Sequence, residues 1–324
     1  MMMNSSKFLF LTTMLMGITM SVSSNNWIMI WCGLEISLVS IIPQMINKYV
    51  MSSESMMKYF IVQSISSSML MLGLMIMIMK GDYNYDFMLT TALLVKMGVS
   101  PFHNWVLTVI EGIELFMVLL LLTINKIAPI TLMTYFNSMY SLIILLTILT
   151  GAIMGLNQSS MKKIIGYSSI FNMGFILVVM KYSLMWIFYL SIYSMLIGFV
   201  IFYMHIQKIS FMNQMAFSEM IINKMSLWMN MLSMGGMPPL IGFSIKYMVM
   251  MQMIKSNMMT MIVIMIMASL LVMFFYLRIA FVSLMSNSLM QKTKLLKLNE
   301  FSSWMMILNL MALPMLMFSK NLMI

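Results

Sequence analysis

The chain has 324 residues, 62% of them hydrophobic and only 8% charged, with a mean hydropathy of +0.99; soluble domains carry about a quarter charged residues, so a soluble enzyme is excluded and a polytopic membrane protein expected. The net charge of +10 comes from 18 basic and 8 acidic residues scattered singly between apolar runs, a pattern that offers no basic patch to nucleic acid. A single cysteine, Cys32, forms no intrachain disulfide, and two distant histidines make no metal cluster, so no metal or cofactor site is expected in this chain.

Apolar runs read against turn signals predict an all-α bundle, a single transmembrane domain over 1–324, with helices at 6–23, 27–46, 55–79, 87–110, 114–136, 139–156, 161–180, 183–206, 225–254, 258–285 and 301–319. Strands with alternating polar and apolar faces are absent, which excludes a porin-type barrel. The first run, behind Lys7, has the outline of a signal peptide; with so many later spans it reads as an uncleaved anchor.

Helix 27–46 contains Glu35 in "WCGLEISLVSIIP". Helix 87–110 holds "LLVKMGVSPFHNW", with Lys96 just before Gly98 and Pro101, and the following helix holds "LLTINKIAP", with Lys126 just before Pro129. Helix 225–254 holds "MGGMPPLIGFSIKYMVM", with a second Gly/Pro break and Lys246 behind it. Proline clashes with the carbonyl four residues back and lacks a donor, so broken backbone survives in a membrane only where it is buried in protein or lines a wet cavity. The carbonyls freed near Pro101 and Pro129 are expected to accept from water. Recurrence of MGxxP at 97–101 and 234–238, five helices apart, suggests an inverted repeat with two discontinuous helices.

Glu35, Lys96, Lys126 and Lys246 all fall near mid-span, where an ionised group costs about 2.5 to 3.5 kcal/mol on insertion scales. One such lysine reads equally well as a functional group or as a structural cation that snorkels or pins helices; four ionisable groups read as an ion path. Glu35 is the mid-span acid. Placed about 4 Å from Lys96 at an effective dielectric near 20, it would attract the ammonium by roughly 4 kcal/mol, and moving it away would change the lysine's hold on its proton. These two are the expected gated pair, Lys126 the relay and Lys246 the group serving the other half-channel. His103, just past the first break, is a possible member. His205 reads as interfacial, Glu111 and Glu114 as a solvated turn, and Arg278, nearer a helix end, as a snorkelling cation.

Loop charge predicts topology. Lys7, Lys48, Lys58, Lys162, Lys163, Lys208, Lys224, Lys292, Lys294 and Lys297 fall on the side of the N-terminus, against Lys80, Lys181, Lys255 and Lys320 opposite, which places the N-terminus inside and the C-terminus outside.

The quoted motifs, with "GLNQSSMKKIIGYSSI" between them, together resemble the antiporter-like membrane-arm subunits of mitochondrial respiratory complex I (NADH dehydrogenase) over nearly the whole chain, except 286–324. The resemblance implies a fold related to cation/proton antiporters, with two inverted half-channels. It implies a proton-pumping subunit of NADH:ubiquinone oxidoreductase in the mitochondrial inner membrane, with its N-terminus toward the matrix. FMN, iron–sulfur clusters and ubiquinone would then belong to partner subunits, and the partners would be other membrane-arm subunits and lipid, with no nucleic acid. Carried over by position, Glu35 matches the helix glutamate, Lys96 and Lys246 the broken-helix lysines and Lys126 the central lysine. Two rival readings share these features: a subunit of a stand-alone cation/proton antiporter, and a scaffold that moves no protons.

Overall fold

A computed structural model describes residues 5–47, 49–80, 86–136, 141–180, 185–217, 221–285 and 300–310. The described residues form fourteen α-helices and no β-strand beyond a single bridge between Ser160 and Phe211. In order they are α1 (Ser5–Ser23), α2 (Trp27–Met45), α3 (Val50–Lys80), α4 (Asp86–Met97), α5 (Asn104–Gly112), α6 (Leu115–Leu122), α7 (Ile124–Met133), α8 (Ser141–Gly155), α9 (Met161–Val179), α10 (Met185–Gln207), α11 (Ile221–Gly235), α12 (Ile241–Lys255), α13 (Met259–Met285) and α14 (Glu300–Leu310).

Among the described residues, seven segments are long and apolar enough to cross a membrane: α1, α2, α3, α9, α10, α13 and the stretch from Leu115 to Met133. The expected helices 87–110 and 225–254 are each broken in two, at 98–103 and 236–240. A third interruption, unforeseen from the sequence, falls at Thr123 between α6 and α7. The last expected helix is described only to Leu310, so its remainder and the whole 286–299 stretch before it lie outside the described residues.

The chain divides into two compact units, Met1–Ile143 and Ile144–Ile324. In the first, the Asn26 side chain accepts from Ile28 N at 3.2 Å and starts α2 at the expected place. Helix α1 lies backbone to backbone on α2: a Cβ on Gly17 would stand 2.8 Å from the Gly33 carbonyl oxygen, and one on Gly33 2.7 Å from that of Gly17. Small residues at a crossing give apolar helices the close packing that lipid cannot. Helix α3 packs on α2, α4 and α5, and α4 packs on α7, so the segment bearing Lys96 is packed by α3 and α7.

In the second unit α9 is the most enclosed span, although its sequence carries Ser168, Ser169 and Asn172, all of them buried. Gly151 lets α8 approach the backbone of Phe171 on this helix. Arg278 of α13 is no snorkelling cation: its guanidinium donates to the carbonyls of Leu156, at 2.6 Å, and Gln158, at 2.9 Å, where the chain leaves α8. A cation on carbonyls that have no intrahelical donor is the usual way to finish a helix C-terminus. Buried Asn309 donates to Asn230 Oδ1 at 2.6 Å and ties α14 to α11.

Candidate functional site

The first break is built by Gly98, whose φ of 68° is left-handed. A Cβ there would also run into the Val106 side chain. The break therefore needs glycine on two grounds, backbone conformation and space. Two of its carbonyls have side-chain donors. Trp105 donates its indole N–H to Val95 O at 3.1 Å, and Gln63 donates from α3 to Lys96 O at 3.4 Å. With neutral donors on the backbone, the Lys96 side chain is left free.

Its ammonium faces a cavity that offers about 30 Å³ to water-sized molecules, and Lys126 faces the same cavity, together with Ser37, Tyr59, Gln63 and Asn125. That is room for about two waters with polar partners around them. Lys96 is 8% exposed and Lys126 4%, and among the described residues neither ammonium bonds a protein atom. The Oδ1 of Asn125 is also buried and unpartnered. Thr123 turns the chain here: its hydroxyl donates to Leu119 O at 2.7 Å, and helix resumes at Ile124. The break thus sits two residues before Asn125 and six before Pro129, which itself lies inside α7.

Glu35 is half-buried on α2 and its charge reaches Lys96, but no ion pair within 4.0 Å joins them. The two expected partners act here across a gap. His103 precedes α5 with its Nδ1 buried and unpartnered, and it is absent from the wall of the cavity. Glu111 and Glu114 flank the turn between α5 and α6, as their reading as a turn requires.

The second break is built differently. Gly236 has φ 93°, and Gly242 packs its Cα against the Ser233 carbonyl, where any Cβ would overlap. Here the lysine itself serves the freed carbonyls: Lys246 Nζ donates to Met234 O at 2.9 Å and Gly235 O at 2.7 Å, the last carbonyls of α11, and lies 5.2 Å from the centre of the Phe171 ring. It is 3% exposed. Lys96 and Lys246 look equivalent in sequence, yet one faces a cavity and the other caps a helix end. Chemically, Lys96 and Lys126 can exchange protons with water in their cavity, whereas Lys246 has two of its three N–H bonds committed to carbonyls and one left for exchange.

Comparison with known proteins bears on this arrangement. The family model described as NADH:quinone oxidoreductase/Mrp antiporter, TM, matches residues 24–86 and 83–272. The NADH-ubiquinone oxidoreductase chain 2 of Locusta migratoria is 36% identical over 312 residues, covering 91% of each chain. Among solved structures, a chain of respiratory complex I from Thermus thermophilus superposes with a TM-score of 0.81 at 17% identity, over 98% of this chain and 78% of that one. A chain of the Mrp complex from a Dietzia species superposes with a TM-score of 0.75 at 16% identity, over 83% of this chain and 59% of that one. At such identities the structural likeness speaks for the fold.

Proposed function

The chain belongs to the NADH:quinone oxidoreductase/Mrp antiporter transmembrane family, and on that premise we propose that it translocates protons as a membrane-arm subunit of respiratory complex I in the mitochondrial inner membrane. NADH oxidation and quinone reduction, with the flavin and iron–sulfur chemistry they need, belong to partner subunits, as does the contact with neighbouring antiporter-like chains. The observation that carries the reading is the pair Lys96 and Lys126: two buried lysines lining one water-sized cavity, with no hydrogen bond from either ammonium to protein among the described residues. A helix pin would satisfy its ammonium with protein acceptors. A carrier needs one that can meet water, release its proton and take another.

In this reading Glu35 tunes Lys96 through the field across their gap, so that a small movement of α2 relative to α4 changes how firmly the lysine holds its proton. Lys126 receives that proton across the cavity. Lys246 serves the second unit, and the two units work as one antiporter-like domain with the N-terminus on the matrix side. The test is the ratio of protons pumped to NADH oxidised in the assembled complex carrying Glu35→Gln, Lys96→Met or Lys126→Met. A lowered ratio at normal assembly supports carriage; normal ratios in all three would leave a scaffold. Copurification with flavin and iron–sulfur subunits separates the reading from a stand-alone antiporter.

A further inference from the structure

The second unit holds a buried polar cluster that the lysines do not use. On α9, Ser168 Oγ donates to Ile165 O at 2.8 Å, Ser169 Oγ to Gly166 O at 2.6 Å and Asn172 Nδ2 to Ser168 O at 2.8 Å. Their donors are thereby occupied by the helix's own backbone, while the hydroxyl and amide oxygens keep lone pairs free. Tyr189 of α10 takes one, donating to Asn172 Oδ1 at 2.6 Å. Tyr193, one turn further along α10, lies beside Ser169 and Asn172, and Tyr276 of α13 lies beside Ser168 and next to Tyr193.

Both of these last phenols are buried, at 2% and 1% exposure, and neither oxygen has an aligned hydrogen bond. A buried hydroxyl left unmade costs about 1 to 3 kcal/mol. Two of them converging on a surplus of acceptors form a site whose complementary ligand is water, which donates two bonds and accepts two. Tyr276 brings the cluster toward the lysine: a Cβ on Gly235, whose carbonyl accepts from Lys246, would stand 3.5 Å from the Tyr276 ring.

We propose that Tyr193 and Tyr276, with Ser168 and Ser169, form a hydroxyl relay through a buried water that Asn172 helps to hold, and that this relay carries protons to and from Lys246. This rests on the proton-translocating reading above and names its route through the second unit. In each transfer an oxygen accepts a proton on a lone pair and releases the one it held to the next oxygen. Only O–H bonds form and break, every phenol ends neutral, and the number of protons is conserved. The cluster conducts, and Lys246 holds.

The test uses the assembled complex. A density map of the wild-type complex should show solvent within hydrogen-bonding distance of both Tyr193 Oη and Tyr276 Oη; protein atoms filling that space would overturn the proposal. Tyr193→Phe and Tyr276→Phe, which remove one oxygen and keep the ring, should each lower protons pumped per NADH by about twofold or more per assembled complex. Less complex with an unchanged ratio would make the cluster a helix pin and overturn the relay. Lys246→Arg, which keeps donors for Met234 O and Gly235 O but does not release its proton, separates the two failures. If it lowers the ratio and neither phenylalanine variant does, the relay is wrong and the functional reading stands. If Lys246→Arg, Lys96→Met and Lys126→Met all pump normally, both fall.

Discussion

The indole nitrogen of Trp105 reaches back across the first helix break to the carbonyl of Val95, 3.1 Å away, while its ring lies against Tyr59 with centroids 5.9 Å apart. Trp105→Phe keeps the ring contact and removes one of two donors, since Val95 O also accepts from Gly98 N at 3.1 Å, so the loss is that of one hydrogen bond, about 0.5 to 1.5 kcal/mol. The thermal inactivation midpoint of the complex should fall. Because that carbonyl is one residue from Lys96, the proton-to-NADH ratio should fall with it. An unchanged midpoint would mean that water replaces the indole fully.

Gly98→Ala meets two obstacles, a left-handed φ that costs an L-residue about 1 to 2 kcal/mol and the Val106 side chain in the space its Cβ would need. The expected result is little assembled complex. Adding Val106→Ala should recover part of the yield by relieving the overlap, while the backbone part of the loss persists. Full recovery in the double variant would show that the steric term was the whole effect.

Lys96 and Lys126 share one cavity, so their contributions to pumping should not add. With Lys96→Met, Lys126→Met and both together, protons counted per NADH should be no lower in the double variant than in the worse single one. Additive losses would mean two separate routes.

At Lys246 assembly and pumping should separate. Arginine keeps positively charged donors for Met234 O and Gly235 O but holds its proton at any working pH, whereas methionine loses both properties. Lys246→Arg should assemble at near wild-type level and pump poorly; Lys246→Met should do neither. Equal assembly of the two variants would show that the carbonyls need no cap.

Much of this architecture is legible in the sequence because glycine, proline and charge are costly in a membrane and therefore informative. Lys96, Lys126, Lys246 and both Gly/Pro breaks stand out against an apolar background, and the structure brings the first two lysines to one cavity. The interruption at Thr123 carries no such mark, since threonine is common in apolar helices and its turning role depends on a hydroxyl bonding its own backbone. Arg278 reads as a terminal cation because its acceptors, Leu156 and Gln158, lie more than a hundred residues away. The α9–α10–α13 hydroxyls are invisible for a related reason. Serine, tyrosine and asparagine occur singly along apolar helices, and only packing reveals that three helices turn them toward one another.

The two capping arrangements give the units different mechanical characters. In the first, tryptophan and glutamine hold the broken backbone whatever the charge of Lys96, so the lysine can cycle over a still frame. In the second, the ammonium is also the latch on the end of α11: a neutral amine would keep two N–H donors for Met234 O and Gly235 O but lose the charge that strengthens both bonds. Under the proposed proton carriage, each discharge of Lys246 would loosen that helix end, whereas Lys96 would change charge with its backbone donors unmoved.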